Sequence, residues 1–474
     1  MVLEKNQEYE ITIEDLGNEG EGIGHINGIA VFVKDAVVGD VARIKIIKVK
    51  KHYAYGRLME ILTPSVSRVE PICSLARKCG GCSIMQLDYG RQLAWKQDKV
   101  MNCLKRIGGI ADVEQLMEPI IGMEDVGEEK FPAIRYRNKA QFPVQRGKDG
   151  KIAIGFYAGR THSVMDTDVC YLQDKVNDDI IRRFRAFLET YQVEPYDETT
   201  HTGLVRHILT RVGRKTGEVM ICLILNGTEL IGKTGGQGYC NVEQEFVRCM
   251  QNVQGITSIS INVNREKTNK ILGDSCRTIW GSDTITDYIG NVKYQISPLS
   301  FYQVNPEQTE KLYGKALEYA DLHGDEMVWD LYCGIGTISL FLAQKAKRVC
   351  GVEIIPAAIE DARKNAQMNG MTNVEFFVGK AEEVLPEQYA QTGEQADVIV
   401  VDPPRKGCDE VAIQTMIKMA PEKIVYVSCD PATLARDVKV LVAAGYEVKK
   451  VCAVDQFGHS GHVESVVALH RTSM

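Results

Sequence analysis

The sequence predicts a multidomain protein: an N-terminal OB-like β-barrel, a central α+β domain, and a C-terminal α/β domain of the Rossmann-like type. Three observations predict it. Residues 1–61 are short alternating runs broken by glycine turns, the pattern of a small barrel. Residues 297–474 alternate strand-like and helix-like segments, the sign of a doubly wound parallel sheet. Residues 62–296 mix both kinds of segment and open on three closely spaced cysteines. A chain of 474 residues can give each of these units its own core.

The composition narrows the class. Hydrophobic content of 44% and charged content of 25% are those of an ordinary globular protein. No run of eighteen apolar residues occurs and Met1–Lys5 has no apolar signal core, so a cytosolic location without a membrane is expected. A net charge of −7 disfavours coating nucleic acid by bulk charge, though not by a local basic patch. In the cytosol, 14 cysteines are expected to be ligands, nucleophiles or small buried hydrophobes rather than disulfides.

In the barrel the runs Tyr9–Ile13, Ile29–Val33 and Val41–Ile46 read as strands around the turn Gly20–Gly24. Arg43, Lys45, Lys48, Lys50, Lys51 and Arg57 fall where no acid occurs from Val41 to Met59, with Tyr53 and Tyr55 between them. Cations interleaved with rings suit a phosphate backbone with stacked bases, although lysines also guard sheet edges. The arrangement resembles the TRAM domain, an RNA-binding barrel.

Cys73, Cys79 and Cys82, with Gly80 and Gly81 between the last two, can wrap a metal, because glycine lets backbone amides turn toward sulfur. Cys170 is the candidate fourth ligand. Zinc and an iron–sulfur cluster both satisfy four thiolates. Leu87–Ile107 reads as an amphipathic helix with apolar residues at 93, 100, 104 and 107. A helix is expected at about 174–191, and strands at Ile152–Phe156, Val219–Leu225 and Ile259–Val263. The cluster Arg135–Lys139 is a candidate RNA grip.

In the last domain the strand Met327–Tyr332 leads into Cys333-Gly334-Ile335-Gly336-Thr337, and a second strand ends in Glu353. Glycines allow close backbone approach to a nucleoside, and an acid on the next strand tip accepts from ribose hydroxyls. Position 339 is Ser where a dinucleotide fingerprint has its third glycine, so S-adenosylmethionine fits better than a nicotinamide or flavin nucleotide. Asp402-Pro403-Pro404-Arg405 follows the apolar run ending at Val401, and Ser428-Cys429-Asp430-Pro431 follows the run ending at Val427. Both motifs should open onto one rim of the sheet. Cys429 is the candidate nucleophile. Thiolate addition at carbon 6 of a uracil puts electron density on carbon 5, and a base must later remove the carbon 5 proton. Glu464, at the mouth of the last strand, is the candidate base, with His462 expected on the same side.

Phe301-Tyr302-Gln303-Val304-Asn305, Asp330–Thr337, Asp402–Arg405, Ser428–Pro431 and His462-Val463-Glu464 occur in the order found in the RNA uracil-5-methyltransferase family. With Cys73, Cys79, Cys82 and Cys170 the chain resembles that family's 23S ribosomal RNA branch, which carries a TRAM domain and a [4Fe-4S] cluster. The resemblance implies cofactor contacts at Gln303, Tyr332, Glu353 and Asp402, catalysis by Cys429 and Glu464, and cluster ligation by the four cysteines. It also implies that the helical segment at about 85–117 packs on the catalytic domain, that Phe301 stacks on a flipped uridine, and that a monomer acts on 23S ribosomal RNA before or during subunit assembly. Asp430 stands where many members have Asn, which puts the role of that position in question. A cytosine-5 enzyme would, by resemblance, have a second cysteine after the Asp-x-Pro turn, where Pro404-Arg405 stands here. A transfer RNA enzyme and an inert RNA-binding assembly factor are the alternatives.

Overall fold

The computed structural model describes residues 3–124, 131–159, 161–235 and 238–472. Its first unit is a six-stranded sheet from Glu8–Thr12, Asp15–Leu16, Gly22–Ile26, Ile29–Val33, Val41–Val49 and Tyr53–Thr63. Its two edge strands, Glu8–Thr12 and Asp15–Leu16, are consecutive in sequence. One pairs with Val41–Lys45 and the other with Gly22–Ile23, so this single segment closes the sheet into a barrel. Closure brings backbones close together. A Cβ at Gly24 would lie 2.2 Å from the Thr12 carbonyl oxygen, which only glycine avoids. Ala42, Ile44 and Ile46 point into the core while Arg43 and Ile47 face out, the period-2 alternation of a strand wet on one side. Phe32, Tyr53 and Tyr55 group on the outside with ring centroids 5.6 to 5.8 Å apart.

The central unit is a seven-stranded sheet ordered Ser275–Gly281, Ile256–Val263, Val219–Leu225, Val205–Val212, Lys139–Arg146, Ile152–Tyr157 and Val164–Asp166. Helices Val176–Thr190 and Glu243–Met250 cover one face. Ile180, Ile181, Phe184, Phe187 and Leu188 recur at helical spacing and bury against that face.

The last unit is a second seven-stranded sheet, ordered Val374–Val378, Arg348–Glu353, Met327–Leu331, Val398–Val401, Lys423–Ser428, Glu464–Arg471 and Tyr446–Val454. The first five strands are mutually parallel, Glu464–Arg471 runs against them, and Tyr446–Val454 pairs antiparallel with it and so runs with the five. The chain winds outward from Met327–Leu331 in one direction and then, from Val398–Val401, in the other. The switch point lies between these two strands, where a crevice opens at their carboxyl ends.

Helix Tyr89–Cys103, N-capped by the Asp88 side chain on the Arg91 amide, precedes the central sheet in sequence yet lies against the last unit. Its buried face differs from the apolar stripe the sequence suggests: it carries Gln92, Lys96 and Val100. The reason is what it meets. Lys96, with no exposed surface, pairs with the equally buried Asp455 at 2.5 Å, and Tyr89 donates to the other Asp455 oxygen at 2.8 Å. Beyond it, Met117 and Ile121 bridge Val451 and Val454, covering the edge strand Tyr446–Val454. Among the described residues no helix is long and apolar enough to cross a membrane.

Candidate active site

The structure brings Cys429, Glu464, Asp402 and Arg405 to one place on the rim. Cys429 follows the parallel strand Lys423–Ser428, and Glu464 begins the antiparallel strand beside it. Ser428 pairs with Ser465, so the end of one strand and the start of the other are adjacent. Glu464 is 4% exposed, pairs with Val454 in the ladder, and its carboxyl makes no hydrogen bond among the described residues. Burial, and then the Asp402 carboxylate, push its pKa up to about 8, while Arg405 opposes the rise. Burial, Glu464 and Asp402 push the Cys429 thiol up to about 11, again against Arg405. Burial raises Asp402 itself to about 6. The site is therefore a group of acids raised by burial, Glu464 and Cys429 further by the Asp402 charge, with one exposed guanidinium opposing the rise.

Asp430 has a definite task in this geometry. Its side chain accepts from the Ala432 and Thr433 amides at 2.9 and 3.0 Å, capping helix Pro431–Ala443. A carboxylate is well placed at the positive end of a helix. His462 precedes the last strand instead of belonging to it and packs edge-on against Phe457, with centroids 6.1 Å apart.

Along the switch point lie the other candidates. Tyr332 adopts a left-handed φ of 69°, and its amide and that of Cys333 both donate to Val352 O at 3.0 Å. This turn starts the glycine loop, whose Gly336 has φ 80°. A Cβ at Gly336 would press on the Phe376 ring at 2.9 Å. Glu353 accepts from the Gly334 and Ile355 amides at 3.3 and 3.0 Å, so the acid on the second strand tip is fixed to the loop. Gln303 is reached from another direction. The Asn138 amide side chain donates to its carbonyl at 2.9 Å, and its own side chain hydrogen-bonds the buried Tyr313 hydroxyl, which also contacts Thr337 Oγ1 at 3.1 Å and lies beside Asp402. Tyr313 thus links Gln303, the glycine loop and Asp402. No sequence motif marks Tyr313, which lies on helix Pro306–Ala320, so its role was missed. Asp330 was quoted as part of a motif but not as a site residue. It is fully buried, accepts from Ser339 Oγ at 2.5 Å, leaves its other oxygen without a partner, and is raised to about 7 by burial beside Asp402 and Glu353.

Phe301 stands 71% exposed on the loop 297–304. Under that loop is buried Arg211, which donates to the Ser300 and Pro298 carbonyls. Lys139, its cross-strand neighbour, is half-buried without a hydrogen bond or ion pair among the described residues. Burial, Arg211 and Arg137 depress Lys139 to about 8. Among the described residues neither Lys139 nor Arg211 forms an ion pair.

Cys73, Cys79, Cys82 and Cys170 line one cavity of about 210 Å³, together with Arg137 and Tyr171. The Gly81 amide donates to Cys79 Sγ at 3.4 Å, and the Leu172 and Gln173 amides donate to the Cys170 sulfur. Burial and the neighbouring thiols raise Cys82 well above its ordinary value. Among the described residues no three His, Cys, Asp or Glu side chains converge tightly enough to hold a single metal ion. The expected cluster is therefore not shown by the structure; the thiols ring a cavity instead of meeting at a point.

A glycine loop at the switch point of such a sheet, joined to a barrel, is the frame of an RNA methyltransferase, and the comparisons show that class. The family described as tRNA (Uracil-5-)-methyltransferase matches residues 263–472, and the TRAM domain matches residues 2–59. An uncharacterized RNA methyltransferase of Clostridium tetani is 49% identical over 98% of this chain and 97% of its own length. One from Halalkalibacterium halodurans is 47% identical over 98% of each. The crystal structure of Pyrococcus abyssi tRNA (uracil-54, C5)-methyltransferase in complex with S-adenosyl-L-homocysteine superposes with a TM-score of 0.75 at 28% identity, covering 97% of this chain and all of that one. The chain belongs to the RNA uracil-5-methyltransferase family.

Proposed function

We propose that this protein transfers a methyl group from S-adenosylmethionine to carbon 5 of a uridine in RNA, through a covalent adduct with Cys429. The observation that carries the reading is the adjacency of Cys429 and an unencumbered Glu464 beside the glycine-loop crevice. The cofactor site suits a nucleoside: Glu353 is fixed at the strand tip, Gly336 admits close approach, and Asp330 keeps one buried oxygen unpartnered. When bound, S-adenosylmethionine supplies an electrophilic methyl group on a sulfonium. Glu353 would accept from the ribose hydroxyls, Tyr332 would line the nucleoside, and Gln303 and Asp402 would close the crevice.

Cys429 gives its proton to water at the rim and its sulfur bonds to carbon 6 of the uracil, which moves the pyrimidine double-bond electrons onto carbon 5 as an enolate. Carbon 5 would take the methyl group as the methyl–sulfur bond breaks, its electron pair remaining on sulfur in the neutral thioether S-adenosylhomocysteine. Glu464 then removes the original carbon 5 proton, the double bond re-forms, and the carbon 6–sulfur bond breaks to release the thiolate. Glu464 must be ionised to act, and its depressed acidity places that event near neutral pH. The uridine must leave its stack to reach the rim, at a cost of a few kcal/mol. Phe301 is exposed where it can stack on the base, and the half-buried Lys139 can meet the adjoining phosphate, with buried Arg211 holding the loop that carries Phe301.

Two finer readings belong here. The four cysteines would hold a [4Fe-4S] cluster: they surround one cavity and take backbone amide hydrogen bonds at two sulfurs, as cluster thiolates do. Iron with acid-labile sulfide in anaerobically purified protein supports this; stoichiometric zinc overturns it. For the substrate we infer 23S ribosomal RNA, on the motif order and the cysteine set. A transfer RNA substrate is favoured by one observation, since the Pyrococcus tRNA enzyme covers 97% of this chain and the barrel therefore does not separate the branches. Mapping 5-methyluridine in both RNAs from cells with and without the protein decides between them. For the chemistry, Glu464→Gln should trap a covalent RNA adduct and Cys429→Ala form none; an adduct in Cys429→Ala would refute the nucleophile.

A further inference from the structure

The nine residues before Glu464 are held from outside the catalytic sheet. Four main-chain carbonyls within five consecutive residues, at Phe457, Gly458, His459 and Gly461, accept hydrogen bonds from the segment 83–136. Lys96 Nζ donates to Phe457 O at 3.0 Å, Tyr136 Oη to Gly458 O at 3.1 Å, and Lys99 Nζ to Gly461 O at 2.8 Å. The Ser83 and Ile84 amides both donate to His459 O, at 2.9 and 3.2 Å. Ser83 directly follows Cys82, and Tyr136 belongs to the small apolar cluster against which Cys73, Cys82 and Cys170 pack.

His459 is the centre of this contact. It holds a left-handed φ of 63° and is 1% exposed. Its amide donates to Gln92 Oε1 at 3.1 Å, its Nδ1 accepts from Gln92 Nε2 at 3.1 Å, and its Nε2–H donates to Pro132 O at 2.9 Å. This pattern requires the neutral ring protonated at Nε2. Every polar group of the residue is thereby committed to the cysteine lobe or to the helix that follows it.

We propose that the four-cysteine lobe positions the catalytic base: through His459 and Tyr136 it fixes the loop 457–463, and so the placement of Glu464 against carbon 5 of the adduct. The inference rests on the assignment of Glu464 as base. His459 and Tyr136 are positioning residues, since both act through the loop. The consequence is specific to one step. Loosening the loop slows proton removal while leaving thiol addition and methyl transfer intact, so the methylated adduct accumulates.

The test compares wild type, His459→Asn, which tolerates positive φ, and Tyr136→Phe, which deletes only the hydroxyl, using full-length protein, RNA and S-adenosylmethionine. Single-turnover reactions are quenched in denaturant, and protein–RNA adduct and released 5-methyluridine are measured separately. The expected result is adduct formation within about twofold of wild type and adduct resolution slowed about five- to tenfold, the scale of one lost hydrogen bond. Iron content and cofactor affinity should not change. Resolution at the wild-type rate in both variants, or equal slowing of formation and resolution, overturns the proposal. A failure of the underlying reading looks different: in that case Glu464→Gln itself accumulates no adduct.

Discussion

Replacing Glu464 by Gln should change how stability depends on pH. In the fold this carboxyl is raised from 4.5 to about 8 by burial and by Asp402. The native state therefore keeps a proton that the unfolded chain releases at lower pH. The stability from that proton is fully present below the unfolded value, near 4.5, and is lost as pH rises through about 8. At about 1.4 kcal/mol per unit the whole span gives a ceiling near 5 kcal/mol. Asp402 shares the local charge and water reaches a cleft at the sheet rim, which leaves on the order of 3 kcal/mol. For a domain of this size that is roughly 6 to 12 °C in melting temperature. Gln keeps the shape and cannot ionise. Thermal unfolding of the ligand-free protein between pH 5 and pH 9 should show wild type losing that much more than Glu464→Gln, with the two nearly equal at pH 5. Parallel profiles would mean that Glu464 is ionised in the native state, and the electrostatic account of the site would fail.

The remaining expectations are more local. Lys139→Gln should weaken RNA binding and lower the slope of log affinity against log salt by about one, without altering affinity for S-adenosylmethionine; an unchanged slope would remove Lys139 from the RNA surface. Asp430→Ala should cost about 1 kcal/mol through loss of the helix cap, measured by denaturant unfolding, whereas Asp430→Asn should keep most of it. Phe301→Ala should fold normally and turn over RNA poorly, and unchanged turnover would sink the stacking role. The single-turnover rate should rise with pH between 6 and 9 as Glu464 ionises, and a flat profile would place the base elsewhere.

The strand-tip motifs were legible because each follows a short apolar run, and a parallel strand carries whatever follows it to the ligand rim. Val398–Val401 and Lys423–Ser428 do this for Asp402 and Cys429. Glu353 was legible for the same reason. Tyr313 was not, because its link to Gln303 and Asp402 depends on contacts that only the folded crevice creates. The helix Tyr89–Cys103 was found, but its buried face was misread. Apolar periodicity assumes an apolar partner, and here the partner is the polar segment Asp455–Gly461, which selects Gln92 and Lys96. The role of Asp430 stood open in the sequence, where its neighbour is Cys429, because only the fold shows its carboxylate turned to the helix amides.

The position of Glu464 raises a problem of register that the last strand does not solve by itself. A residue at the start of a strand reaches the ligand rim only if that strand runs against the others, and Glu464–Arg471 does so between two neighbours. Strands usually fix their register by burying one face, since a slip of one residue would expose the apolar set. Here Ser465, Val466, Val467, Ala468 and Leu469 are all buried, so both faces are in the core and alternation says little. A one-residue slip would nevertheless turn Glu464 to the opposite face. The constraint that remains is the connection 455–463, and that connection is fastened at Asp455, Phe457, Gly458, His459 and Gly461 by side chains and amides from residues 83–136. The segment that interrupts the order of the domains is thus the one that sets the base opposite the nucleophile.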